Sequence, residues 1–179
     1  SALRKIGIQQ GDRVAGFMPN MPETIIAMLA TASIGAIWSS SSPDFGIKGV
    51  LDRFTQIEPK VLFAANGYYY NGKKFDSLEK LNSILDQLPS VDHVVVTPYT
   101  DSNHDISSVK NGILWDNFID SNPSPLKFEQ LPFQHPLYIM YSSGTTGLPK
   151  SIVHGAGGTL LQHLKELRLH TNISQDDTV

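Results

Sequence analysis

Apolar and polar positions follow two patterns that alternate along this chain. Short apolar runs such as "KVLFAA" (60–65) and "HVVVT" (93–97) are typical of buried strands. Between them, residues 75–88 bring an apolar side chain every three or four positions, which predicts one buried stripe of a helix. Strands and helices that alternate in this way predict an α/β fold, with a mainly parallel sheet and flanking helices. The stripe consists of Leu78, Leu81, Ile84, Leu85 and Leu88.

The same patterns predict the elements on either side of these runs. We expect a strand over 12–19 and a helix over 22–38, because Pro22 and Glu23 suit a first helical turn. A further strand over 38–41 and a helix over 47–58 should follow. Within "YYYNGKKFD" (68–76), the Asn-Gly pair predicts a tight hairpin.

The regular alternation stops in the middle of the chain. Residues 97–136 are rich in turn-forming residues, apart from one short amphipathic piece at 113–120. We therefore predict a subdomain boundary near Leu131. Residues 1–131 would form an α/β subdomain, and 132–179 would begin the next one.

Composition narrows the classes of function. With 40% hydrophobic and 17% charged residues in 179, the chain can bury a core. The net charge is −3 and the basic residues are scattered along the chain, so we expect no nucleic acid partner. The longest apolar stretch, over 25–38, is too short to span a bilayer. With zero cysteines and no apolar leader segment, we expect a cytoplasmic protein without disulfides.

The segment "YSSGTTGLPK" (141–150) is the main candidate for chemistry. It resembles the nucleotide loop G-x-x-x-x-G-K-[ST], but Pro149 stands where that loop needs a glycine. Proline lacks an N–H and cannot adopt the left-handed turn, which excludes a Walker loop. Two β-branched residues after Lys150 favour a strand, so the order should be strand, loop, strand. Four hydroxyls, two glycines and one ammonium still suit a polyphosphate, although a plain surface hairpin explains the same residue types.

The stretch "YSSGTTGLPKSIVH" resembles the phosphate-binding signature of the adenylate-forming enzymes, in which the proline is a fixed part. This resemblance implies that the chain is part of a large N-terminal domain, with the C-terminal domain absent. It also implies ATP, Mg²⁺ and CoA as substrates or cofactors. Lys150 would be the catalytic cation. The implied ATP phosphate contacts are Ser142, Ser143, Gly144, Thr145, Thr146, Gly147 and Lys150.

Two further segments, "HGAGG" (154–158) and "SPDFG" (42–46), are similar to those members of the family that activate acetoacetate. The resemblance implies a ligase that converts acetoacetate and ATP to an acyl-adenylate and transfers the acyl group to CoA, in lipid and ketone body metabolism. This chain alone is expected to be inactive and to need the remainder of its protein. Activation of acetate or propionate stays open, as does a non-catalytic structural or interaction fragment.

Three other places in the chain carry residue types that are common in functional sites. In acyl-CoA synthetases the hairpin region carries arginines near the CoA nucleotide, so the resemblance implies a CoA contact at Lys73, although those arginines are absent. His154 is more typical of a packed histidine than of a catalytic one and stays outside the catalytic set. The spacing in "DSNHD" (101–105) matches no calcium or zinc template, and no metal ligands are predicted.

Overall fold

A computed structural model of the protein describes residues 1–101, 105–120, 122, 125–142 and 147–178. Within these residues, seven strands form one sheet and two more form a separate hairpin. In chain order the strands are β1 (Arg13–Phe17), β2 (Ile37–Ser41), β3 (Val61–Ala65), β4 (Gly67–Tyr70), β5 (Lys73–Asp76), β6 (His93–Thr97), β7 (Gly112–Leu114), β8 (Pro136–Ser142) and β9 (Lys150–Gly155).

The strands of the large sheet lie in the order β7-β6-β3-β1-β2-β8-β9. Neighbours are parallel except β8 and β9, which form an antiparallel hairpin at one edge. At the centre, Val14 of β1 lies opposite Trp38 on one side and Val61 on the other. The predicted α/β fold with a mainly parallel sheet is therefore confirmed.

Helices cover both faces of the central strands. Consecutive side chains of a strand point to opposite faces, so one strand contributes to two clusters. Ala15 of β1 joins a cluster with Phe54 and Leu81, whereas the preceding Val14 joins a second cluster with Ala27. Strands buried on both faces are apolar throughout, and all five residues of β3 are buried. The helices are α1 (Ala2–Lys5), α2 (Pro22–Ser33), α3 (Ile47–Phe54), α4 (Leu78–Leu85), α5 (Trp115–Phe118) and α6 (Ala156–Lys165), which continues as a π-helical turn (Glu166–His170).

The predicted stripe on α4 is confirmed. Three of its members are buried on α4, and Leu78 packs against the same cluster, whereas Leu88 is buried three residues beyond the end of the helix. The Asn-Gly hairpin is also confirmed, because Asn71 and Gly72 have φ of 49° and 73° at the turn between β4 and β5. Positive φ at both central residues matches the twist of the flanking strands.

The helix predicted over 22–38 ends earlier, at Ser33. Gly35 has a φ of 72°, and its N–H donates to the carbonyl of Ala32 over 3.1 Å. A glycine in the left-handed region ends the helix, and the chain enters β2 at Ile37. The prediction was wrong because the apolar pattern continues through the turn into the strand.

Three elements were absent from the sequence prediction, namely α1, β7 and α6. The predicted boundary near Leu131 stays a prediction. In the structure, β8 and β9 join the same sheet as the strands before residue 131, since β8 is hydrogen-bonded to β2.

Candidate phosphate-binding site

The candidate loop lies at the carboxyl edge of the sheet. The parallel neighbours β2 and β8 end at Ser41 and Ser142, and ligands of open α/β sheets bind beyond such strand ends. The chain returns along β9, where Lys150 pairs with Ser142. The predicted order of strand, loop and strand is therefore confirmed.

The structure describes three of the predicted phosphate contacts. Ser142 is half-buried at the end of β8, and Lys150 is exposed at the start of β9. Gly147 has a φ of 102°, which strains any residue with a side chain. Their contacts with ATP stay predictions. The remaining predicted contacts, Ser143, Gly144, Thr145 and Thr146, lie outside the described residues.

Tyr141 anchors the chain where it enters the loop. Its hydroxyl donates to the carbonyl of Arg53 over 3.2 Å and lies 3.3 Å from the hydroxyl of Ser39. The guanidinium carbon of Arg53 lies 5.6 Å from the centre of the tyrosine ring, within the range of a cation–π contact. Burial raises the pKa of the Tyr141 hydroxyl above its ordinary value, against smaller opposing effects of Ser39 and Arg53. The phenol therefore stays protonated and keeps its role as a donor at neutral pH.

Gln56 anchors the chain where it leaves the loop. Its amide nitrogen donates to the carbonyl of Pro149 over 2.9 Å and to that of Asp52 over 2.6 Å. Its amide oxygen accepts a hydrogen bond of 2.8 Å from the hydroxyl of Ser151. Both ends of the loop are thus held by residues in or just after the C-terminal half of α3.

A cavity of about 510 Å³, here the loop-side cavity, opens between the end of β2 and β8. Ser42, Phe45, Arg53 and Tyr141 form part of its wall. The guanidinium carbon of Arg53 lies 4.6 Å from the centre of the Phe45 ring, so the cation contacts two aromatic rings. A fixed cation on the wall makes this cavity suitable for an anionic ligand.

A second cavity of about 360 Å³, here the hairpin-side cavity, lies between the end of β2 and the β4 strand of the hairpin. Asn20, Asp44 and the three tyrosines 68–70 line it, and residues 40–42 line both cavities. Within the described residues, the buried hydroxyl of Ser41 has no hydrogen-bond partner. A buried polar group without a partner in the protein suits a site where a ligand or water supplies one.

Lys80 fixes the loop that separates the two cavities. Its ammonium donates to the carbonyls of Pro43 and Phe45 over 2.9 and 3.3 Å. Burial lowers the pKa of Lys80 below its usual value, and the carboxylate of Asp44 opposes this shift. Ser42 donates to the same carboxylate. The loop after β2 is therefore held in one conformation by side chains from α4 and from the loop itself.

A protein-family model described as "AMP-binding enzyme" matches residues 1–179, the whole chain. The chain belongs to the AMP-binding enzyme family. The adenylate-forming resemblance drawn from the loop is confirmed by this match.

Individual members of this family are similar over 96% or more of the chain. Acetoacetyl-CoA synthetase of Gallus gallus is 55% identical, over 100% of this chain and 28% of that protein. Acetoacetyl-coenzyme A synthetase of Rhizobium meliloti (strain 1021) is 57% identical, over 96% of this chain and 26% of that protein. The solved structure of acetoacetyl-CoA synthetase from Streptomyces lividans superposes with a TM-score of 0.90 at 43% identity, and the match covers 98% of this chain and 26% of that one. This chain therefore spans little more than a quarter of the length of these relatives.

The other candidate residues of this AMP-binding chain gain no geometric support. Lys73 is exposed on β5 opposite Tyr70, and it is not part of the described walls of either cavity. Its CoA contact stays a prediction. The ring of His154 lies 5.2 Å from that of Tyr138 and packs against it at the edge of the sheet.

The described residues contain neither a cluster of metal ligands nor a membrane-spanning helix. No three or more His, Cys, Asp or Glu side chains cluster there in a way that could hold a metal ion. In the same residues, no helix combines the length and the apolar character that a membrane crossing requires.

Sequence reasoning missed Arg53, Gln56 and Tyr141. Tyr141 adjoins the family signature and could have been suspected for that reason. The contacts of Arg53 and Gln56 span 88 to 95 positions of the chain, and neither residue stands in a motif. No signal in the local pattern indicates them.

Proposed function

We propose that this chain is part of a longer AMP-forming ligase that activates acetoacetate with ATP and transfers the acyl group to CoA. The chief support is the similarity, at 53–57% identity, to relatives whose names specify acetoacetyl-CoA synthesis. The strand–loop–strand geometry at the carboxyl edge of the sheet agrees with the phosphate-binding role that the family signature implies.

In the first half-reaction, a carboxylate oxygen of acetoacetate attacks the α-phosphorus of ATP. The bond to the β-phosphate oxygen breaks, which gives the acyl-adenylate and pyrophosphate. The loop would hold the β- and γ-phosphates by backbone and hydroxyl donors, and Lys150 would neutralise charge that develops on the leaving pyrophosphate. The exposed position of Lys150 leaves its ammonium accessible to such a ligand.

Mg²⁺ fits this site as an ion that arrives with the triphosphate. Magnesium in such enzymes is bound mainly by substrate phosphates and one or two oxygen ligands, so it needs no cage of carboxylates. Hydroxyl oxygens of the loop, such as that of Ser142, are suitable ligands for Mg²⁺. The ion would supply additional charge neutralisation on the phosphates.

In the second half-reaction, the thiol of CoA attacks the carbonyl carbon of the adenylate, and AMP leaves. The two cavities on either side of residues 40–42 offer separate approaches to the end of β2. We assign the hairpin-side cavity to the approach of CoA, with Lys73 near its nucleotide.

We also place the reaction in the cytoplasm and in lipid and ketone body metabolism.

Substrate selectivity tests this proposal in the full-length protein. Acid-dependent exchange of labelled pyrophosphate into ATP should be faster with acetoacetate than with acetate or propionate, by at least about tenfold in kcat/KM, because a site with donors for the keto oxygen penalises acids that lack it. Mass spectrometry should identify acetoacetyl-CoA as the product. Equal or faster exchange with acetate would contradict the choice of acid, and the absence of any acid-dependent exchange would contradict the ligase.

A further inference from the structure

The side chain of Gln56 uses all its hydrogen-bonding groups in a way that links α3 to the exit of the phosphate loop. Its two N–H groups serve the carbonyls of Asp52 and Pro149, and its oxygen accepts from the hydroxyl of Ser151. The two residues that it contacts outside α3, Pro149 and Ser151, lie on either side of Lys150 in the chain. A single amide therefore holds the chain immediately before and immediately after the proposed catalytic cation.

Apart from the backbone pairing of β9 with β8, in which Lys150 lies opposite Ser142, the surroundings of Lys150 provide little support. β9 is an edge strand, and its first four residues are exposed. Gly147 precedes them in a conformation that only glycine adopts readily. Because consecutive side chains of a strand point to opposite faces, the contact with Ser151 also sets the face on which Lys150 emerges. The position of the ammonium thus depends on the β8–β9 pairing and on the hydrogen bonds of Gln56 rather than on side-chain packing.

We propose that Gln56 is a positioning residue for Lys150, which fixes the exit of the loop so that the ammonium meets the phosphates of ATP. The inference rests on the proposed function for the identity of the ligand. It extends the site to a residue outside the loop, at the end of a helix 94 positions before Lys150.

The chain contains a matched control for the local role of this glutamine. Gln87 lies two residues beyond the end of α4, as Gln56 does beyond the end of α3, and both are exposed. Each donates to a carbonyl four residues earlier, Gln87 to Ser83 over 3.3 Å. Only Gln56 adds contacts to the loop. A substitution at Gln87 therefore reports the cost of losing the local contact alone.

The test compares Gln56→Met with Gln87→Met in the full-length protein, since methionine keeps the length of the side chain and removes its polar atoms. Gln56→Met should raise the KM and the calorimetric Kd for Mg-ATP about 3- to 10-fold, the usual effect of losing one or two neutral hydrogen bonds. The KM for acetoacetate and the thermal midpoint should match those of Gln87→Met. Ser151→Ala should weaken Mg-ATP binding less, and its effect should not add to that of Gln56→Met.

Each outcome bears on the inference. Equal Mg-ATP affinity in Gln56→Met and Gln87→Met would overturn the positioning role, as would a loss in Gln56→Met that is matched by an equal loss for acetoacetate. If Gln56→Met does not fold, the effect of Ser151→Ala on Mg-ATP binding decides the question. The proposed function fails separately: wild-type protein that binds Mg-ATP without acetoacetate-dependent exchange would refute the reaction, and the binding comparison would still decide the role of Gln56.

Discussion

Strands β3 and β9 lie in the same sheet, but the side chains of β3 are buried and most of those of β9 are exposed. Phe63 of β3 is 1% exposed and contacts the rings of Trp38, Trp115 and Phe118 at centroid distances of 5.7 to 6.4 Å. In β9, by contrast, Val153 is 57% exposed. The burial of apolar surface, which dominates folding, is therefore concentrated at the centre of the sheet.

The same difference separates the packed core from the proposed phosphate site. The proposed phosphate loop joins β8 to the poorly packed β9, where hydrogen bonds made by Gln56 and Tyr141 hold its two ends. The proposed admission of ATP and release of pyrophosphate would benefit from such an arrangement, because regions with few buried contacts open at low cost. Substitutions in the two regions should accordingly affect different measurements.

The largest expected effect belongs to the core. In the 179-residue chain, Phe63→Ala should lower the free energy of unfolding by about 3–5 kcal/mol, because it leaves a cavity among three aromatic rings. Val153→Ala on the exposed strand should change it by less than about 0.5 kcal/mol. Urea unfolding, followed by the fluorescence of Trp38 and Trp115, measures both. Equal costs, or a chain with no cooperative transition, would contradict the contrast between the regions.

A smaller effect, confined to activity, is expected at the loop. In the full-length protein, Lys150→Ala should slow acetoacetate-dependent pyrophosphate exchange about 10- to 150-fold, because one charge-assisted phosphate contact is lost. Its thermal midpoint should stay at the wild-type value. The exposed Lys110, just before β7 at the opposite edge of the sheet, provides the control, and Lys110→Ala should exchange at the wild-type rate. An unchanged rate in Lys150→Ala would remove that residue from the site.

Local patterns predicted much of the fold, and their failures have physical causes. The α4 stripe and the Asn71-Gly72 turn follow from periodicity and from φ preferences, which act over a few residues. The end of α2 was misplaced because apolar residues serve both the helix and the following strand. Gln56 could not be found in this way, since its partners at Pro149 and Ser151 are brought to it only by the folded sheet.

We propose that ATP phosphates bind where β8 passes into β9, at the edge of the sheet and not at its packed centre. Amide hydrogen exchange of the full-length protein, with and without Mg-ATP, tests this location directly. We expect slower exchange on nucleotide binding in peptides that cover 141–151, with little change in those that cover β6 at 93–97. Bound nucleotide that leaves exchange at 141–151 unaltered would contradict this location.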